Sequence, residues 1–432
     1  MSDCEIGAGT PAAVVPGSLV HRLVRQLGPG LITGAADDDP SGIATYAQAG
    51  AAFGYGLGWA VVLTLPLMVA VQEISARIGR VTGGGLAAAL RAHSPRPVLL
   101  LLVSLLVVAN VINLSADIGA MADAASLVAG GRPAVWAVGF ALVCAGAEIW
   151  VAYRRYVLVL KWLTLALLAY VALLFVVHLH WREVLVGTVL PHVDLSHDAL
   201  TTLVAVLGTT ISPYLFFWQA AEEAEDESIE PDPRPLREHA EDATTQMARI
   251  GVDTWAGMAY SNFVALAIII GTAATLHAHG VVTIDTAAQA ASALAPIAGP
   301  FAEVIFALGI VGTGLLAVPV LAGSAAYALG EASGWRVGLG RRALEARAFY
   351  GTIAAATLLG TAIVFSPLDP MRALFWAAVI NGVAAVPMIV AIIVMATMPS
   401  VMGTLVLPRW LRVLGWLCAA VMTGATIGML VL

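Results

Sequence analysis

The chain has 432 residues, 60% of them hydrophobic and 11% charged, with a formal net charge of −7 and a mean hydropathy of +0.89. That balance excludes a water-soluble globular protein, and apolar runs of about 20 residues, the length that crosses a hydrocarbon core, recur along almost the whole sequence. Three cysteines, Cys4, Cys144 and Cys418, share no metal-ligand spacing, so neither a disulfide framework nor a structural metal is expected.

Residues 1–25 lack the basic start and long apolar core of a signal peptide and read as a cytoplasmic tail. Eleven spans follow, at 28–50, 57–78, 98–128, 134–152, 156–178, 199–221, 250–278, 301–331, 349–366, 371–396 and 410–431. The first is interrupted. After Gly28-Pro29-Gly30, the run Asp37-Asp38-Asp39-Pro40-Ser41-Gly42 puts three carboxylates, a proline and a glycine inside an apolar stretch. Proline removes a backbone donor and glycine permits unusual dihedrals. Carbonyls freed at such a break find partners at membrane depth only in a buried cavity or a bound cation, and carboxylates there point to function.

The sixth span carries a second break, Gly208-Thr209-Thr210-Ile211-Ser212-Pro213-Tyr214. Pro213 alone could merely kink a packed helix. Paired breaks argue otherwise, because transporters built from inverted repeats place broken helices at matching positions, with the binding site between them at the midplane. Breaks in spans one and six fit an all-α membrane protein with a LeuT-type repeat of five helices plus five, the eleventh being an appendage. The expected layout is a first repeat at 26–180, an extracellular loop at 181–198, a second repeat at 199–398 and the last helix at 399–432.

With eleven spans and the N-terminus inside, nearly all basic residues fall on the cytoplasmic side, and only Arg132, Arg182 and Arg372 lie outside. The positive-inside rule predicts this bias, placing the C-terminus on the extracellular or periplasmic face of the cell membrane. Ten of the 28 acidic residues sit in 222–242, within an expected cytoplasmic loop at 222–248. A solvated helix end explains them as well as a cation-attracting vestibule does.

These motifs resemble the NRAMP family of divalent metal transporters. The resemblance rests on Gly28-Pro29-Gly30, Asp39-Pro40-Ser41-Gly42 at the family's spacing, and Gly54-Tyr55. It continues in Gln72-Glu73-Ile74-Ser75-Ala76-Arg77-Ile78-Gly79, Thr82-Gly83 and Ser212-Pro213-Tyr214, where the family has Met-Pro-His. It covers the first six helices, and beyond them only span count and Pro387 carry it. It implies that an ion is held by Asp39, by the backbone carbonyl of Thr209, and by the positions of Gly42 and Ser212, where the family has asparagine and methionine. A thioether favours softer transition metals, whereas carboxylate, hydroxyl, carbonyl and water suit Mg²⁺, Ca²⁺ or Mn²⁺. Asp37 and Asp38 replace neutral family positions and add outer-shell charge. The pattern is similar to the NRAMP-related magnesium transporters, which also lack the methionine.

The family's proton route on the third helix falls on Asn113 and Ala116, and its histidine on Tyr214, so tight proton coupling is not expected. Asp117, about 100° round the helix from Ala116, is the one candidate relay. Asn381 in the tenth span is a candidate cavity residue, although a packing hydrogen bond explains it equally. Glu73 and Arg77 form an i, i+4 pair, and Glu148 lies near Arg154 and Arg155. His178, His180, His192 and His197 read as wet loop residues. No hydrolase triad, phosphate-binding loop or dinucleotide fingerprint is present. The reading is a non-enzymatic importer of a divalent cation, with the bilayer and the ion as partners, no nucleic acid, no cofactor and a monomer. The alternative is a LeuT-type transporter of a small organic solute coupled to Na⁺ or H⁺. A sensor signalling through the acidic loop is a weaker third reading.

Overall fold

The computed structural model of the protein describes residues 28–150, 167–191, 195–228 and 234–432. Among these residues the regular structure is helical and no β-strand is present. The interrupted first span comprises α1 (Pro29–Asp37) and α2 (Pro40–Phe53), followed by α3 (Gly58–Thr82), α4 (Leu86–His93), α5 (Arg96–Ala129) and α6 (Pro133–Trp150). After α7 (Trp181–Val189), the second interrupted span comprises α8 (His197–Thr210) and α9 (Pro213–Ser228). Then come α10 (Ala243–Thr275), α11 (Ala302–Ser333), α12 (Arg347–Val364), α13 (Pro370–Thr397) and α14 (Arg409–Val431).

Eight helical stretches among the described residues are long and apolar enough to cross a membrane, one of them containing both α2 and α3, and Pro133–Ile149 is a shorter apolar helix. The first half of the expected fifth span, 156–166, lies outside the described residues, as do the tail at 1–25, Arg154, Arg155 and His192. Both breaks occur where the sequence places them. Pro40 and Pro213 each open a new helix, where a missing N–H forfeits no hydrogen bond.

The halves of the broken helices pack through small residues, as helices in a membrane do where backbones must approach closely. α1 lies along α10, with Gly30 and Gly34 set directly against the backbone of Gly257. α8 crosses α13 at Gly208 and Gly382, and α9 crosses α3 at Ala220 and Gly79. α5 runs beside α11, α12 and α13. Large apolar side chains point outward from the periphery, among them Leu101, Leu142, Leu358, Val413 and Leu430, as a lipid-facing surface requires, while the polar residues of the breaks are buried.

The acid-rich segment is built into the fold. α9 continues to Ser228 and α10 begins at Ala243, so the stretch expected as a loop at 222–248 is helical at both ends. Glu223 pairs with Arg249. Glu225 accepts the Leu339 amide at 2.9 Å, the Gly340 amide and the Tyr327 hydroxyl, tying α9 to the segment after α11. Glu73 and Arg77 pair at 2.5 Å as expected.

Candidate metal site at the two helix breaks

Asp39 sits in extended backbone (φ −68°, ψ 169°) between the halves of the first span and caps α2. Its Oδ1 accepts the Gly42 amide at 2.7 Å and the Ser41 hydroxyl at 2.7 Å. Its Oδ2 accepts Asn113 Nδ2 from α5 at 2.9 Å and lies 3.4 Å from the Tyr214 hydroxyl of α9. Tyr214 also donates to the freed Ala36 carbonyl at 3.0 Å, so one side chain of the second break spans to both sides of the first. Three helices, α2, α5 and α9, converge on this carboxylate.

Gly42 stands where the resemblance expects a side-chain ligand, and the space it leaves is ringed by oxygens. A methyl group built there would lie 3.0 Å from Thr209 Oγ1, 3.3 Å from the Asp37 carbonyl oxygen and 3.4 Å from Asp39 Oδ1. The Thr209 hydroxyl is buried with no strong hydrogen-bond partner, and Tyr46 faces it from α2. Ser212 behaves differently from an outward-facing ligand. Its hydroxyl turns back on its own helix, 2.8 Å from the Gly208 carbonyl and 2.9 Å from that of Thr209, and so caps the carbonyls freed at the second break.

Asp37 Oδ2 and Asp38 Oδ1 both meet the Ser261 hydroxyl of α10, at 2.5 Å and 3.0 Å. Asp117 lies one helical turn beyond Asn113, on the same face of α5, and faces the Ser41 amide and Asp39. Asp37, Asp38, Asp39 and Asp117 are between 0% and 2% exposed. Among the described residues no three His, Cys, Asp or Glu side chains converge to hold an ion, so an ion here would need hydroxyls, carbonyls or water to complete its shell. Asn381 is buried beside the Gly208–Gly382 crossing, makes no hydrogen bond, and does not join this network.

A cavity of about 650 Å³ opens between α2, α8, α13 and the segment 282–285. It reaches Ala44 and carries Gln48, Thr201, Asp198, Asp285 and Arg372 on its walls. Gln48 clasps that segment with both ends of its amide, donating to the Val282 carbonyl at 3.1 Å and accepting the Ile284 amide at 2.8 Å. Arg372 and Asp285 pair across it at 3.2 Å. At the opposite end of α1, Asp253 of α10 accepts the amides of Gly28 (2.9 Å), Gly30 (2.7 Å) and Leu31 (3.1 Å).

Residues 30–432 match the family described as Nramp, natural resistance-associated macrophage protein-like. The chain belongs to the Nramp family. Relatives of this Nramp chain include the divalent metal cation transporter MntH of Klebsiella pneumoniae (strain 342), 28% identical over 91% of each chain. Another is MntH of Aeromonas hydrophila, 30% identical over 67% of this chain and 69% of that one. The solved manganese transporter of Eremococcus coleocola superposes with a TM-score of 0.73 at 17% identity, covering 98% of this chain and 88% of that one. Mhp1, a nucleobase-cation-symport-1 family transporter in a closed conformation, superposes at 0.55 and 13% identity over 93% and 92%. At these identities the two structures speak for the fold alone, and they place the Nramp chain in the LeuT-like architecture expected from its paired breaks.

The structure of this Nramp chain adds two residues that sequence reasoning passed over, Ser261 and Asp253. Each is a lone polar residue on the long helix α10, more than 200 positions from its partners on α1. Asp117 had a usable signal. Measured from Asn113 its spacing is i, i+4, which stacks the two on one face.

Proposed function

We propose that this chain carries a divalent metal cation across a lipid bilayer, with Asp39 as principal ligand. The observation that carries the reading is the oxygen ring around Gly42, where Asp39, the Asp37 carbonyl and Thr209 meet between two broken helices. All of these are hard donors, and the position at which a thioether would select softer metals holds Ser212, whose hydroxyl is turned back onto its helix. The cargo is therefore a hard ion, Mg²⁺ or Mn²⁺, and the metal is substrate and not cofactor. The relatives named as divalent metal cation transporters support this reading.

The basic residues orient the chain with its N-terminus in the cytoplasm, so the 650 Å³ cavity faces outward and delivers ions to the first break. The buried carboxylates also disfavour an organic anion as cargo, since like charge repels it. Proteoliposome uptake with a panel of divalent ions and amino acids tests the proposal. Saturable entry of Mg²⁺ or Mn²⁺, lost in Asp39→Ala, supports it. Amino-acid entry without metal entry, or normal metal entry by a folded Asp39→Ala protein, refutes it.

A further inference from the structure

The carboxylates of the first break divide into two pairs that face different helices. Asp39 turns toward α5 and α9, with Asp117 beside it. Asp37 and Asp38 turn the other way, onto Ser261 of α10. The charges acting on Asp37 and Asp38 are those of other carboxylates. A divalent ion held by Asp39 offsets two negative charges, those of Asp39 and of its neighbour Asp117. Asp37 and Asp38 then remain buried without a charge of opposite sign, which proteins avoid.

Ser261 sharpens the point. A serine hydroxyl has one proton to donate, yet oxygens of both carboxylates lie within hydrogen-bond distance of it. Donation to either leaves the other oxygen facing a lone pair. The outer oxygens, Asp37 Oδ1 and Asp38 Oδ2, meet no donor at all. The Tyr46 hydroxyl is fully buried, faces Thr209, and feels the charge of the same carboxylates. Two carboxylates sharing one serine hydroxyl, with two carboxylate oxygens left over, make a hard donor set of the kind a divalent cation takes.

We propose that Asp37, Asp38 and Ser261 form a second divalent-cation site, separate from that of Asp39, so that the loaded protein holds two ions. The proposal rests on the reading of the chain as a divalent-cation carrier. Equilibrium dialysis of the purified full chain against Mn²⁺, followed by metal analysis, gives two ions per chain in the wild type. It gives one in Asp38→Asn and one in Ser261→Ala, the milder change, which controls for loss of fold. Asp39→Asn also keeps one. Electron paramagnetic resonance of the wild type shows a spectrum broadened by a neighbouring Mn²⁺, and the one-ion variants show the sharp lines of an isolated ion. A single ion with sharp lines in the wild type overturns the second site and leaves the carrier reading standing. No Mn²⁺ in the wild type overturns both. Two ions persisting in both Asp38→Asn and Ser261→Ala also overturns the assignment.

Discussion

Asp39 does two jobs with one carboxylate. It caps α2 through Oδ1 and, in the function proposed above, offers its charge to the cargo, and the asparagine and alanine substitutions separate these roles. Asp39→Asn keeps an oxygen for the Gly42 amide and loses the charge. Its uptake should fall at least tenfold while its melting temperature stays close to wild type. Asp39→Ala should lose uptake and also about 1 kcal/mol of stability, the usual worth of such a cap. Equal melting temperatures for the two would show that the cap is unimportant. Ser212→Met tests the other half of the chemistry. The longer side chain cannot cap the Gly208 and Thr209 carbonyls and brings a thioether toward the site, so preference should move from Mg²⁺ toward Cd²⁺, measured by competition for uptake. An unchanged preference order would show that position 212 does not face the ion. A carboxylate before a helix-breaking proline is visible in sequence because it violates membrane composition at one spot. Ser261 and Asp253 violate nothing locally, and only the packing of α10 on α1 gives them partners.

α1 has nine residues and depends on its neighbours more than on itself. Its N-terminal amides end on one foreign carboxylate, Asp253, and its flank lies on Gly257. Asp253→Ala should therefore loosen this element by about 2 kcal/mol, the scale of hydrogen bonds to a charged acceptor. Hydrogen exchange across residues 30–37 should accelerate about thirtyfold while α5 keeps its protection. Uniform acceleration over the whole chain would mean global rather than local weakening. Gly257→Leu should prise the two helices apart and give a larger effect. The sequence marked both breaks correctly, since proline and small polar residues stand out in apolar helices. The run Glu222 to Glu227 reads in sequence as a solvated helix end or loop, whereas it continues α9 and Glu223 and Glu225 are engaged by Arg249 and the Leu339 and Gly340 amides.

Energetically, a carrier of this kind needs no proton. A membrane potential of 100 mV favours entry of a divalent ion by about 4.6 kcal/mol, twice the value for one charge. At about 1.4 kcal/mol per decade, that sustains a gradient of roughly 2,000-fold. Asn113 cannot relay a proton by titrating, and Ala116 brings no carboxylate to its cavity, whose acidic residue is Asp369 beside Arg372. Metal entry at clamped potential should therefore leave internal pH unchanged, as followed by an entrapped dye. Stoichiometric acidification that disappears in Asp117→Asn would make Asp117 the relay. The anchoring of α1 also has a mechanical side. Nine residues rising about 1.5 Å each form a stiff rod of roughly 13 Å, pivoted at Asp38, so a tilt of about 20° carries the Pro29 end through about 5 Å. Smooth glycine contact along its flank offers little friction to that swing, and the catch at Asp253 sits at the far tip, where its leverage over the pivot is greatest. A single carboxylate there can thus govern how readily α1 swings, from a point well away from Asp39.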